Sequence, residues 1–100
     1  SDNCTNTRWD YIVMPGSNFS GTNFSGGAFT RGDWSGSDFR NCNFTNVNFS
    51  RVDLRNCDFR GANFNGVYFE RNLLAGSTFT QNPYIDWNDP QFGPVIIVQE

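Results

Sequence analysis

Ten of the eleven phenylalanines in this 100-residue chain fall on one register of five. Phe19, Phe24, Phe29, Trp34, Phe39, Phe44, Phe49, Leu54, Phe59, Phe64, Phe69, Leu74 and Phe79 are thirteen large apolar residues at consecutive steps. A register without meaning would collect roughly a fifth of the phenylalanines. Two residues before each stands a mostly small one, among them Gly27, Gly32, Cys42, Val47, Val52, Cys57 and Ala62. Asn or Asp fills the place between in nine of the thirteen units: Asn18, Asn23, Asp33, Asp38, Asn43, Asn48, Asp53, Asp58 and Asn63. A step of five matches neither the 3.6 period of a helix nor the strict alternation of a long strand. It does match a short strand followed by a corner.

In such a unit residues two apart share a face, so Val52 and Leu54 point inward together while Asp53 points out. The remaining two residues must turn the chain. The second of them is Gly at 21, 26, 36, 61, 66 and 76 and Asn at 41, 46 and 56, the residue types that accept the positive φ of a tight turn. The exceptions set the number of sides. Trp34, Leu54 and Leu74 interrupt the phenylalanines at intervals of 20, and Arg31, Arg51 and Arg71 interrupt the Gly/Asn corners at the same interval. Asn23/Asn43/Asn63, Asp33/Asp53, Asp38/Asp58 and Arg40/Arg60 recur likewise. Four units per coil stack each set in a column, which a three-sided coil would scatter. The expected fold is all-β, a four-sided parallel β-helix (a β-solenoid) of about three to four coils. A mean hydropathy of -0.54 invites a reading as disorder, but 17 aromatic residues and a net charge of only -3 leave enough apolar area for a core.

Tandem units such as Val52-Asp53-Leu54-Arg55-Asn56 and Ala62-Asn63-Phe64-Asn65-Gly66 resemble the pentapeptide-repeat family, over residues 17–81 without a frame slip. The resemblance implies a right-handed quadrilateral β-helix. Both flanks are expected to cap it, because a solenoid end leaves backbone groups unpaired. Trp9 and Met14 keep the register upstream, but Tyr11, Ile12, Val13 and Pro15 break the pattern, so 1–16 reads as an N-terminal cap. Over 82–100, Pro83, Pro90 and Pro94 exclude regular pairing and Ile85, Trp87 and Phe92 supply apolar cover. Val95-Ile96-Ile97-Val98 is either a strand folding back or the start of a linker. Ser1 in place of an initiator Met is expected of a processed or excised piece.

The chemistry open to this chain is narrow. His and Lys are both absent and all seven cations are Arg, so every mechanism that needs an imidazole or an amine is excluded. Cys42 and Cys57 occupy inward small positions and read as space-filling thiols, while Cys4 reads as a free thiol near the chain start. The columns Asp33/Asp53 and Asp38/Asp58 bring carboxylates within one strand spacing, as an acid–base pair requires. Arg40 and Arg60 beside Asp38 and Asp58, and Arg31 and Arg51 beside Asp33 and Asp53, make structural charge ladders the stronger reading. No metal-ligand cluster and no phosphate-binding glycine loop is visible, since the glycines are in phase with the corners. No cofactor is expected. The same phase produces Arg31-Gly32-Asp33 and the glycosylation-type triplets at Asn18, Asn23, Asn43 and Asn48, which are therefore discounted.

A rod without a reactive centre suits binding. The expected function is a non-enzymatic protein-interaction scaffold with an unknown protein partner, its contact surface formed by Arg31, Arg51 and Arg71 at one corner with Arg40, Arg55 and Arg60 nearby. No nucleic-acid partner and no membrane insertion by this stretch is expected, and unpaired ends leave room for weak end-to-end self-association. The resemblance implies an alternative: DNA-mimicking proteins of the family bind and protect type II topoisomerases such as gyrase. The positive columns here depart from that pattern. An ice-binding hydroxyl array is a third reading, interrupted by Glu70 in the column Thr30/Ser50 and by Asn65 below Ser25/Thr45.

Overall fold

The computed structural model describes residues 2–99. Its elements are β1 (Arg8–Asp10), β2 (Ala28–Thr30), β3 (Asn48–Ser50), β4 (Asp58–Phe59), β5 (Tyr68–Glu70), β6 (Thr78–Thr80), a 3-10 turn (Pro90–Phe92) and β7 (Ile96–Val98). All pairing is parallel, and nearly all of it joins residues 20 apart. The first side is the ladder Asn3, Asn23, Asn43, Asn63. The second is β1-β2-β3-β5, pairing Trp9 with Phe29, Phe29 with Phe49 and Phe49 with Phe69. The third is Val13, Asp33, Asp53, Leu73. The fourth runs Asn18, Asp38, Asp58, then Thr78 and Ile96 through β4-β6-β7. The β-solenoid therefore has four levels on three sides and five on the fourth.

Each coil is tied to the next by backbone bonds on either side of the outward residue. Phe24 N–H donates to Asn43 O at 2.9 Å and Asn43 N–H donates to Thr22 O at 3.0 Å. Within the corner, the inward small residue donates back to the preceding aromatic, as Val47 N–H does to Phe44 O at 3.1 Å. The outward Asn or Asp completes the corner with its side chain: Asn23 Oδ1 accepts from Ser25 N–H at 3.0 Å, and Asp33, Asn43, Asp53 and Asn63 repeat the bond. This is why the outward place favours Asn and Asp: their short side chains cap a backbone donor two residues on.

Inside, the register residues form columns. Phe24, Phe44 and Phe64 lie one over another with centroids 5.4 Å apart at each step and planes within 10° of parallel. Phe29/Phe49/Phe69 and Phe39/Phe59/Phe79 also stack, at 4.9–5.3 Å with planes 7–19° apart. Neighbours around one coil meet edge to face, as Phe44 and Phe49 do at 61°. Both arrangements suit the ring quadrupole. The inward small position tolerates polarity where a backbone group needs a partner. Ser77, fully buried, accepts from Cys57 N–H and donates to Leu54 O, and the Cys42 and Cys57 thiols donate to Phe19 O and Trp34 O.

The upstream boundary differs from expectation. Residues 3–16, read as a cap, form the first coil of the ladder, with Cys4, Trp9 and Met14 on the inward register. Pro15 fits because it stands where Ser35 and Arg55 donate N–H groups to Asp33 and Asp53; Val13 offers no such acceptor, so no donor is needed. At the other end the chain winds on through one shortened coil, so Val95-Ile96-Ile97-Val98 supplies a further parallel rung. Gly93 ends the 3-10 turn at φ 59°, β7 joins β6 only 18 residues on, and Ile85 and Phe92 are buried over the last full coil.

Candidate interaction surface

Since the inward residues are committed to the core, function rests with the outer walls. The first wall is neutral, carrying the Asn3/Asn23/Asn43/Asn63 column with Thr5, Ser25, Thr45 and Asn65 beside it. The fourth wall is charged but internally matched. Arg40 reaches back two residues to chelate Asp38, with bonds of 3.0 and 2.8 Å, and Arg60 chelates Asp58 in the same way. Arg40 also lies 3.9 Å from Asp58 on the next coil. Arg55 repeats the chelate on Asp53 at 2.9 and 2.7 Å.

These bonds decide the protonation state. The side-chain hydrogen bonds from Arg40, Arg55 and Arg60 hold the carboxyls of Asp38, Asp53 and Asp58 below the ordinary carboxylate value, against the partial burial that would raise them. The column partner Asp38 has only the smallest influence on Asp58. A proton-sharing acid pair needs the opposite shift, so Asp38, Asp53 and Asp58 serve as ion-pair partners of arginine. Burial pushes the Cys42 thiol up to about 11 and the Cys57 thiol up to about 12, far from the range of a nucleophilic thiolate. Among the described residues no group of three or more Cys, Asp or Glu could hold a metal ion, and no helix is long and apolar enough to cross a membrane.

The six arginines singled out in the sequence do not form one surface. Arg31, Arg51 and Arg71 occupy the corner after the second side, Arg55 the turn after the third, and Arg40 and Arg60 the turn after the fourth, where they line a surface hollow with Asn41 and Gly61. The pairing of Arg31 and Arg51 with Asp33 and Asp53 is likewise corrected. A corner intervenes between residues 31 and 33, turning them to different sides, whereas 38/40, 53/55 and 58/60 each lie within one unit. Asp53 belongs to Arg55, and Asp33 accepts from Ser35 N–H.

What remains is a ridge of three exposed guanidiniums, Arg31, Arg51 and Arg71, none with an ion-pair partner among the described residues. Tyr11 stands at its head. The Arg31 guanidinium lies over the Tyr11 ring, 5.7 Å from its centroid, and donates to its hydroxyl. Tyr11 lies in the stretch that reads as a cap, and its 20-residue offset from Arg31 is the sequence signal that puts it on the ridge. The four ridge residues have φ of 57°, 51°, 57° and 56°. Arg31-Gly32-Asp33 is no loop tip: Gly32 faces inward, where an added Cβ would meet Ile12 O at 2.5 Å.

Stacked inward rings, self-satisfied corners and outward columns together define a tandem-repeat β-solenoid. The chain belongs to the pentapeptide-repeat family: the profile for the pentapeptide repeat region matches residues 3–79, which includes the first coil. No curated protein matches the sequence. Among solved structures it is similar to a pentapeptide repeat protein from the thylakoid lumen of Arabidopsis thaliana, at 23% identity and a TM-score of 0.30 over 71% of this chain. It spans 56% of that protein's length. It is also similar to QnrB1, a plasmid-mediated fluoroquinolone resistance protein, at 15% identity and a TM-score of 0.29, over 98% of this chain and 84% of the other.

Proposed function

We propose that this domain is a non-enzymatic binding scaffold whose partner contacts the ridge formed by Arg31, Arg51 and Arg71. One observation carries the reading. At the other three corners, eleven of the twelve equivalent positions from Asn6 to Gln81 are Gly or Asn, and Gln81 is the exception. This one corner holds Tyr, Arg, Arg and Arg in the left-handed region at every coil. A bulky side chain there costs about 1 kcal/mol relative to Gly, and stacking unpaired like charges adds nothing to the fold. An external carboxylate or phosphate would satisfy what the domain leaves open, and arginine is the side chain best suited to that role in an interface.

The test is recovery of partners on the immobilised domain from an extract of its source cells. The control is Arg31→Asn/Arg51→Asn/Arg71→Asn, because Asn already fills equivalent corners. A partner held by the native ridge should be lost with the triple variant and kept with Arg40→Ala/Arg60→Ala. Equal recovery by the triple variant rejects the reading. The DNA-mimic alternative needs rows of uncompensated carboxylates, and the chelation of Asp38, Asp53 and Asp58 by arginine weighs against it. Unchanged supercoiling by DNA gyrase in the presence of the domain is the expected outcome.

A further inference from the structure

We infer that the ridge recognises a short extended acidic peptide segment with an apolar residue at each end, an inference that rests on the scaffold reading above. Three features set this chemistry. The first is the sign and form of the donors. Three guanidiniums one rung apart, about 4.8 Å per step, offer planar forks to carboxylates, and none is engaged by an acid of this chain among the described residues.

The second feature is the width of the positive strip. It is one column wide, with acidic groups on both sides: Asp10 and Glu70 in the column before it and Asp33 in the column after it, where Asp53 is already paired with Arg55. A duplex nucleic acid, with one negative charge per about 1.7 Å of axis, would set phosphates over those flanking carboxylates. A single extended peptide fits the strip and leaves its flanks clear.

The third is what stands at the two ends. Tyr11 and Val13, 66% and 71% exposed, lie on the first coil, and Tyr68 and Leu73, 55% and 52% exposed, lie on the fourth. Tyr11 heads the ridge itself, and Val13, Tyr68 and Leu73 are outward residues on the two sides that meet there, where other coils carry Asp33, Asn48 or Asp53. Three rungs separate the first coil from the fourth, about 14 Å, which an extended chain covers in about four residues. The matching segment therefore has two apolar residues about four positions apart, enclosing carboxylates.

The probe is a fluorescein-labelled peptide in which two leucines enclose three glutamates (SGLEEELGS), titrated with the domain by fluorescence anisotropy at low and at physiological salt. The native domain and Arg40→Ala/Arg60→Ala should bind it equally, and more weakly as salt rises. Arg31→Asn/Arg51→Asn/Arg71→Asn, checked for an unchanged circular dichroism spectrum, should bind at least about tenfold more weakly. Arg31→Lys/Arg51→Lys/Arg71→Lys keeps the charge and loses the fork, and should fall between the two. A peptide with glutamine in place of glutamate should not bind. The inference is overturned if the native domain does not bind at low salt, if the Asn triple variant binds like the native domain, or if a labelled DNA duplex binds more tightly than the peptide. Ridge-dependent recovery of a partner from extract, with no peptide binding, would remove the acidic-peptide chemistry and leave the ridge as the contact. Ridge-independent recovery with no peptide binding would remove both.

Discussion

Replacing Phe44 by alanine tests the stacked core at its centre. Phe44 is fully buried, sandwiched between Phe24 and Phe64 at 5.4 Å on either side and flanked edge-on by Phe39 and Phe49 at 5.6 and 5.2 Å. Losing a buried Phe costs about 3–5 kcal/mol, the spread reflecting how far the site collapses. Collapse is restricted here, because the coils above and below are held at rung distance by Phe24 N–H to Asn43 O at 2.9 Å and Phe44 N–H to Asn63 O at 2.8 Å. The upper half of that range is therefore expected. For a domain of this length each kcal/mol shifts Tm by about 4–8 °C, so thermal unfolding followed by circular dichroism should show a fall of about 16–40 °C. Met14→Ala is the internal reference. It removes a side chain on the same register in the terminal coil, 40% exposed, and should shift Tm by no more than about 5 °C. Equal losses for the two variants, or a fall below about 5 °C for Phe44→Ala, would refute the premise that the ring columns hold the coils together.

Three further outcomes follow from the same geometry. Gly32→Ala would press a Cβ to 2.5 Å from Ile12 O and 3.1 Å from Trp34 Nε1, and since the first of these is backbone it should destabilise by about 1–3 kcal/mol in urea unfolding. Asp38, Asp53 and Asp58 have folded pKa values below the unfolded one, so the stability they contribute is present above the unfolded value near 4 and is lost as pH falls through the folded values; acid titration of native stability should be steeper below about pH 4 than that of Asp38→Asn/Asp53→Asn/Asp58→Asn, which keeps the corner acceptors and drops the ion pairs. A thiol reagent at pH 8 should modify only the half-buried Cys4 in the folded domain and all three thiols in denaturant, because Cys42 and Cys57 are buried with pKa values of about 11 and 12.

The core was legible because its information is one-dimensional. A residue's step of five tells whether Phe44 or Phe59 points inward, and the 20-residue recurrence of Trp34, Leu54 and Leu74 tells what it stacks on. The first coil was illegible for the complementary reason. Tyr11, Val13 and Pro15 break the outward pattern and Ile12 puts a large residue in a small inward place, while Trp9 and Met14 keep the inward register that sets the fold. Asn72 also stood in plain view as a polar residue in a small inward place. Its side chain accepts from Val52 N–H and donates to Phe49 O one coil back, and a residue 19 positions on, with no repeat to announce it, completes the arrangement. Gln91 Oε1 accepts from Asn72 N–H at 3.0 Å and from Asn72 Nδ2 at 3.2 Å, while its own amide donates to Phe69 O and Asp89, so the cap is clamped to the last full coil.

The separation of walls from core also explains why the arginines could be found in sequence and not grouped. Whether Arg40 and Arg31 share a surface depends on which corner each follows, and whether either is free depends on the rotamer that brings Arg40 back onto Asp38. Composition counts seven cations; geometry leaves three of them in one column without an acid of their own. In a fold whose inward residues would hold together under many different outer walls, positions that follow the repeat report on folding. Positions that depart from it at a cost report on something else. Asn72 departs and is answered by Gln91 within the chain. Arg31, Arg51 and Arg71 depart in the left-handed region, and although Arg31 rests on Tyr11, none of the three meets an acid among the described residues, which is why the proposed counterpart is sought on another molecule.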